Sequence, residues 1–182
     1  MLSFYLALID SDQNKSKFEK IYNTYHRKML NIAYVITKNG ADAEIALSDA
    51  LYNIAKAINR IDDSDEKKMK SYLYTIVKNT SRDLLREKAS SKEVEFEEAF
   101  KLEIEVDIEK IIEGDEKYIR TLKKIYLLPD IYKNVMKLRY LNDLSLKEIS
   151  EVLNIPLNTV KIQLFRGAKM LREILKEEGV HK

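Results

Sequence analysis

Four basic side chains lie close together near the C-terminal end of the sequence, where they could bind the phosphates and base edges of DNA. They are Lys161, Arg166, Lys169 and Arg172, and residues 159–172 contain no Asp or Glu. The whole chain, by contrast, is almost neutral, with 32 Lys and Arg against 30 Asp and Glu. Because arginine and lysine contact phosphates and guanine, this local excess of positive charge indicates a nucleic-acid contact.

On a helical wheel, residues 159–175 separate into an apolar stripe and a largely polar surface. The stripe consists of Val160, Leu164, Ala168, Leu171 and Leu175. The other positions carry the candidate DNA-contacting residues Lys161, Ile162, Gln163, Phe165, Arg166 and Lys169. In a major groove, glutamine can read adenine and an apolar side chain can contact the thymine methyl group. The alternative is a solvated helix face with one isolated isoleucine.

A second basic zone covers residues 67–88, with seven Lys or Arg against two acids. Cations and an aromatic ring share one predicted helix face, and a polar run follows; the candidate residues are Lys70, Tyr74, Lys78, Asn79, Thr80, Ser81, Arg82 and Arg86. This mixture suits single-stranded or opened DNA, in which bases stack and phosphates pair with cations. Asn79, Thr80 and Ser81, at an expected helix junction, could bind the edge of a flipped base. The alternative places both tyrosines in or near the core, and for Tyr72 this is the preferred interpretation.

Nothing in the sequence indicates catalysis, and we expect no catalytic residue, cofactor or metal site. The two histidines, His26 and His181, are isolated, and the four glycines form no phosphate-binding loop. Aspartates 62, 63 and 65 fit a turn better than a calcium loop, whose glycine and distal glutamate are absent. The lack of cysteine, signal peptide and long apolar run predicts a cytoplasmic protein.

The elements that position these residues should be helices, because four Gly and two Pro offer little turn material for a β-fold. Apolar spacing predicts one helix over 13–38, ended by the Asn39-Gly40 pair, and a second helix capped by Asp42. That second helix should bury Leu47, Ala50 or Leu51, Ile54, Ile58 and Ile61. A third helix is expected over 67–78, followed by a separate one to about residue 90.

The last third of the chain predicts a helix-turn-helix. Ile131, Val135 and Leu138 are spaced as the buried positions of one helix. Ser145 and Glu148 have the spacing of a capping box, which should open a short helix ending near residue 153. Pro156 suits the first turn of the next helix, so a tight turn separates the two.

Between the basic zones, residues 89–116 hold eleven acids against three lysines. The alternation in FKLEIEVDI, residues 100–108, fits a strand, and helical spacing fits nearly as well. We favour a poorly packed or partner-dependent segment, because an isolated strand has nothing to pair with.

These segments in this order resemble bacterial RNA polymerase sigma factors, specifically the extracytoplasmic-function (ECF) group of the sigma-70 family. The stretch LPDIYKNVMKLRYLNDLSLKEISEVLNIPLNTVKIQLFRGAKMLREIL resembles region 4. FEKIYNTYHRKMLNIAYVI, the Asp-Ala-Glu run at 42–44 and SYLYTIVKNTSRDLLR resemble region 2. The resemblance implies an all-α protein of two small helical domains, region 2 in 1–90 and region 4 in 117–182. An acidic linker, 91–116, should join them.

The resemblance also implies a mechanism. Region 2 docks on the clamp helices of the largest polymerase subunit through Glu44, Ser48, Asp49 and Tyr52, and its basic end recognises and opens the −10 element. Region 4 sits on the flap of the other large subunit and reads the −35 element with its recognition helix. The acidic linker threads through the polymerase, pairs with a partner's strand edge or acts as a plain tether. An anti-sigma factor is the expected inhibitor, and membrane insertion is not expected.

Several positions depart from the usual pattern of the family. Ile45 and Ser48 stand where an acid and a glutamine are common, and Tyr72 and Thr75 stand where tryptophan and arginine are common. In the recognition helix, Ile162 and Gln163 replace a small polar residue and an arginine, and Gly167 replaces an alanine. The rival interpretations are a helix-turn-helix regulator that binds duplex DNA without polymerase and a degenerate sigma-like protein that starts no transcription.

Overall fold

The computed structural model describes residues 2–90 and 121–179, and all the regular structure in these two stretches is helical. The chain divides into two compact units, Met1–Glu103 and Ile104–Lys182, and each described stretch belongs to one of them. The all-α fold predicted from the scarcity of glycine and proline is confirmed. The linker, including the strand or helix considered for 100–108, lies outside the described residues. No helix in the described part is long and apolar enough to cross a membrane.

Three long helices, preceded by one short helix, form the first unit within residues 2–90. The short helix α1 is Leu2–Leu6, α2 is Asp12–Thr37, α3 is Gly40–Ala57 and α4 is Glu66–Ser90, with a 3-10 turn at Ile58–Arg60 after α3. Each long helix packs against the other two through its apolar stripe. The side chains most completely buried between them include Phe18, Ile21, Met29, Ile32, Leu51, Ile54 and Leu73.

The junction between α2 and α3 differs from the prediction in two respects. Lys38, not Asn39 or Gly40, adopts the left-handed conformation that ends α2, with φ of 57°. Asn39 is extended and caps α3, since its side-chain oxygen accepts a hydrogen bond of 3.0 Å from the Asp42 amide. The prediction that Asp42 is the N-cap was therefore wrong. An asparagine in this position satisfies the free amides at the start of the helix equally well.

The two helices predicted within 67–90 are a single continuous helix, so the expected junction at residues 79–81 was wrong. No proline or glycine interrupts this stretch. The Ser81 hydroxyl donates to the carbonyl of Val77 at 2.7 Å, and the Thr80 hydroxyl donates to the carbonyls of Ile76 and Val77. The polar side chains thus bond within their own helix and do not end it.

The described part of the second unit contains a 3-10 turn at Ile125–Leu127 and three helices: α5 is Asp130–Tyr140, α6 is Leu146–Leu153 and α7 is Leu157–Gly179. The capping box predicted from Ser145 and Glu148 is confirmed, with both reciprocal hydrogen bonds formed. Three residues separate α6 from α7, and Asn154 takes the left-handed conformation there. The Ser150 hydroxyl donates to the Ile155 carbonyl at 2.6 Å, which fastens the turn to α6. The predicted helix-turn-helix is confirmed.

Helices α5 and α7 approach closely where α7 carries Gly167. A Cβ atom at this position would lie 3.1 Å from Cγ of Met136 and 3.3 Å from Cβ of Tyr132. The absence of a side chain at this position therefore permits the crossing. Val135 and Leu138 are buried as predicted, whereas Ile131 is 55% exposed and the prediction of a core position was wrong for it. It lies in the first turn of α5.

Candidate functional site

The outward surface of α7 carries the predicted DNA-contacting residues. Lys161, Ile162, Phe165, Arg166 and Lys169 are exposed, and Gln163 is half-buried. Ile162 is 51% and Phe165 73% exposed, which is unusual for large apolar side chains. The opposite stripe packs inward: Val160 and Leu171 are buried, and Leu164 and Leu175 pack against the core of the unit. This helix therefore presents a surface that is basic and apolar together.

The surface of α4 carries most of the second basic group. Asn79 and Arg86 are exposed, and Lys70, Lys78 and Arg82 are half-buried. Arg86 pairs with Asp83 at 2.7 Å, with both side chains largely in solvent. An exposed pair of this kind is weak, so the guanidinium can exchange the carboxylate for a phosphate at little cost.

Three predicted residues of this group face inward. Tyr74 is 4% exposed, and its ring lies edge-on to that of Tyr25, with the ring centroids 6.4 Å apart. Ser81 is fully buried. The Thr80 hydroxyl also donates to the carbonyl of Ala46 in α3 at 3.0 Å. The Tyr74 ring and the Thr80 hydroxyl join α4 to α2 and α3, and the side chains of Tyr74 and Ser81 do not reach the surface.

The two tyrosines have exchanged the positions expected from the sequence. Tyr72, which was interpreted as a core residue, is 45% exposed, whereas Tyr74 is in the core. Residues two apart on a helix point in widely different directions, so only one of the two tyrosines can face α2. That residue is Tyr74. An aromatic ring is therefore present at the α4 surface, but Tyr72 supplies it.

The exposed side of α3 carries the residues that the resemblance assigned to polymerase binding. Glu44, Ser48 and Asp49 are exposed, and Tyr52 is half-buried with the ammonium group of Lys56 4.7 Å from its ring centre. Spacings of four place Glu44, Ser48 and Tyr52 along one line of the helix. Asp49 and Tyr52 also border a shallow cavity of about 230 Å³ between α3 and α4.

One contact at this surface was not predicted. The hydroxyl of Tyr5 in α1 lies 3.0 Å from Oγ of Ser48 and 3.5 Å from its carbonyl oxygen. The pKa of Tyr22 is raised by its burial and, to a smaller extent, by the neighbouring Tyr5 and Glu44. Helices α1 and α2 thus border the Glu44–Ser48 side of α3. The only sequence signal was the apolar run at the start of the chain, which does not specify a contact 43 residues away.

The three aspartates that follow α3 form a turn, as interpreted. Oδ1 of Asp62 accepts from the Ser64 amide at 2.9 Å, and Oδ1 of Asp65 accepts from the Lys68 amide at the start of α4. Among residues 2–90 and 121–179, no group of three or more His, Cys, Asp or Glu side chains could hold a metal ion.

Comparison with known proteins gives two family matches and several relatives. Residues 21–91 match sigma-70 region 2, and residues 122–171 match sigma-70 region 4. The ECF RNA polymerase sigma factor SigW of Bacillus subtilis is 30% identical over 174 residues, covering 90% of this chain and 91% of SigW. The RNA polymerase sigma factor SigV of the same organism is 29% identical over 153 residues, covering 82% and 85%. Among solved structures, the sigma factor RpoE of Bartonella quintana, in complex with the anti-sigma factor NepR, aligns with a TM-score of 0.49 and 14% identity, covering 88% of this chain and 97% of RpoE.

Proposed function

The chain belongs to the ECF group of the sigma-70 family, and on that basis we propose which of its surfaces contact polymerase and which contact promoter DNA. It is a sigma factor that directs RNA polymerase to promoters. The observation that carries the proposal is the presence, in one chain, of two separate basic helix surfaces on α4 and α7. A regulator that binds only duplex DNA needs only the basic surface on α7.

The polymerase surface is the exposed side of α3, with Glu44, Ser48, Asp49 and Tyr52 contacting the clamp helices of the largest subunit. Two exposed carboxylates within six residues favour a basic partner surface. The second unit contacts the flap of the other large subunit. Together the two attachments fix the spacing between the DNA-reading helices.

The −10 element binds the surface of α4. Lys70, Lys78, Arg82 and Arg86 attract the phosphates of the opened strand, Asn79 offers hydrogen bonds to a base, and Tyr72 offers a stacking platform. Tyr74, Thr80 and Ser81 take a supporting role in this proposal, because their side chains bond or pack within the first unit.

The outward surface of α7 lies in the major groove of the −35 element. Lys161, Arg166 and Lys169 contact phosphates or guanine, Gln163 reads adenine, and Ile162 and Phe165 contact thymine methyl groups. The capping box and fastened turn hold α6 and α7 as a rigid pair, which fixes the register of these contacts.

The chain chooses the promoter, and the polymerase carries out the chemistry, so we assign it no catalytic activity of its own. It works in the cytoplasm, where polymerase and promoter DNA are located. An anti-sigma factor binds this chain and keeps it inactive until the chain is released.

The test is transcription with purified core RNA polymerase, this protein and a library of genomic promoter fragments, followed by sequencing of the transcripts. We expect starts that depend on the protein and are preceded by two shared motifs. Co-elution with polymerase without transcripts would favour the degenerate, partner-binding interpretation. Duplex binding without a polymerase complex would favour the independent regulator.

A further inference from the structure

The short helix α1 is anchored to the part of α3 that we propose binds polymerase. Tyr5 is 1% exposed, and its ring packs against Phe18 with the centroids 5.8 Å apart. Its hydroxyl is bonded to Ser48, on the line of residues that includes Glu44 and Tyr52. A buried aromatic ring with a satisfied hydroxyl is a strong anchor, so the position of α1 beside α3 is well determined.

Exposed apolar side chains gather around this anchor. The first unit has four exposed large apolar side chains among its described residues; Phe4, Leu8 and Ile45 belong to α1, the turn after it and α3, and only Tyr72 lies elsewhere. Phe4 is 60% exposed, and its ring stands edge-on to that of Tyr5 at 5.5 Å. Ile45 is 47% exposed and lies one helical turn before Ser48. Single exposed apolar residues need no explanation, but this concentration at one contact does.

We infer that α1 is part of the polymerase-binding surface: Tyr5 holds Phe4 in place, and Phe4 and Ile45 together supply an apolar contact beside Glu44 and Asp49. This inference rests on the proposed contact between α3 and core polymerase. The partner of this surface is core RNA polymerase. The matching polymerase surface presents an apolar side chain flanked by basic ones. Interfaces combine apolar anchors with a charged rim in this way.

The composition of α3 supports the same conclusion. Beside the Tyr5 contact, this helix carries the apolar Ile45 and the short Ser48. Ser48 is too short to reach far into a partner, and its hydroxyl is engaged by Tyr5. At these two positions α3 therefore offers a partner little polar reach, and the exposed area beside them, from α1 and Ile45, is apolar.

The test measures the affinity of the full chain for core RNA polymerase, without DNA, by fluorescence anisotropy. Phe4→Ser should weaken binding about five- to tenfold, and Tyr5→Phe, which removes only the hydroxyl, about threefold. The matched control is Leu85→Ser, which removes a half-buried apolar side chain from α4 of the same unit. It should change the affinity less than twofold. Circular dichroism and thermal unfolding of each variant check that the first unit stays folded.

Phe4→Ser binding as tightly as the unchanged chain would overturn the inference, and so would an equal loss in Leu85→Ser. If Tyr5→Phe weakens binding further in a chain that already carries Phe4→Ser, Tyr5 does not act by presenting Phe4, and that role is refuted. The double variant Glu44→Lys Asp49→Lys separates the two proposals. Loss of binding in this variant alone leaves the α3 contact standing and removes α1 from it, whereas undiminished binding refutes the α3 contact itself.

Discussion

Nζ of Lys88, near the end of α4, donates a hydrogen bond of 2.6 Å to Oδ1 of Asp42, in the first turn of α3. The Asp42 side chain is 9% exposed and that of Lys88 54%, so the carboxylate is the buried partner. This pair joins the start of the proposed polymerase helix to the end of the proposed −10 helix. Any movement that separates the start of α3 from the end of α4 must break this ion pair.

Lys88→Met should destabilise the first unit by about 1–2 kcal/mol, because it leaves a buried carboxylate without its cation. Asp42→Asn Lys88→Met should recover part of the loss, since the stranded charge is then gone. Arg86→Met, which breaks the solvent-exposed pair with Asp83, is the control and should cost less than about 0.5 kcal/mol. Urea unfolding, with hydrogen exchange of α3 and α4 peptides, measures these values. An equal loss of unfolding free energy in Lys88→Met and Arg86→Met would show that the buried pair stabilises the unit no more than the exposed pair does.

Lys137 is a buried cation in the second unit. It is 6% exposed and lies 5.2 Å from the ring centre of Tyr126. Burial, aided by the nearby Lys133, lowers its pKa from 10.5 to about 8. The unfolded chain therefore binds more protons than the folded chain between about pH 8 and 10.5, and stability rises with pH across that window.

Lys137→Met should therefore stabilise the second unit at pH 7 by roughly 1–3 kcal/mol and remove most of the rise between pH 8 and 9.5. Tyr126, whose pKa is raised to about 12 by burial, adds little below pH 9.5. Urea unfolding at pH 7, 8 and 9.5 measures both effects, with the exposed Lys147→Met as control. A variant whose stability at pH 7 falls, with the pH slope intact, would contradict the prediction.

Gly167→Ala should fail to gain the stability that alanine ordinarily gives a helix. The helix propensity alone favours alanine by about 1 kcal/mol. The new Cβ, however, would lie 3.3 Å from Cβ of Tyr132, which is fixed to the α5 backbone. We expect a net change between about zero and a loss of 1 kcal/mol. The control compares Glu173→Ala with Glu173→Gly, because this exposed position reports helix propensity alone. An equal gain in stability from alanine over glycine at residues 167 and 173 would refute the close crossing.

The predictions that succeeded depend on residues close together in sequence. Ser145 and Glu148 define a cap within one turn, and the stripe from Val160 to Leu171 repeats within one helix. Both patterns are complete in a short window, so no knowledge of the neighbouring helices is needed. The same applies to the basic surface of α7, because the apolar stripe fixes the opposite side.

The contacts that were not predicted, and the wrong assignment of the two tyrosines, involve residues distant in sequence. Asp42 pairs with Lys88, 46 residues away, and Ser48 bonds to Tyr5, 43 residues away. The choice between Tyr72 and Tyr74 requires knowledge of where α2 packs. Tertiary packing made these decisions, and local spacing carries no information about it.

Tyr72 should matter for the −10 strand and Tyr74 for stability. Stacking of a base on an aromatic ring contributes about 1–3 kcal/mol, so Tyr72→Ala should weaken binding of a single-stranded −10 oligonucleotide by the holoenzyme about five- to 150-fold. Tyr72→Phe should retain binding, because the ring remains. Tyr74→Ala should instead destabilise the first unit by about 3 kcal/mol, as loss of a buried aromatic ring does. Fluorescence anisotropy with melting curves separates the effects, and an unaffected Tyr72→Ala holoenzyme would remove Tyr72 from the site.

Ile162 should read a thymine methyl group in the −35 element. It is 51% exposed at the centre of the outward surface of α7, beside cations that position the helix on phosphates. If the contact is apolar, Ile162→Ser should change which −35 sequences are selected from a promoter library. Lys169→Ser should instead weaken all sequences about equally and reduce the dependence of affinity on salt.

A chemical change in the DNA isolates the methyl group itself. Deoxyuridine in place of thymidine at the contacted position removes only the methyl, and it should weaken binding of the unchanged protein by about two- to fivefold, or roughly 0.5–1 kcal/mol. The Ile162→Ser protein should bind both DNAs alike, because its side chain no longer gains from the methyl. Equal sensitivity of both proteins to the replacement at every −35 position would place the methyl contact, if any, on another residue. The remaining apolar candidate, Phe165, would then be tested in the same way.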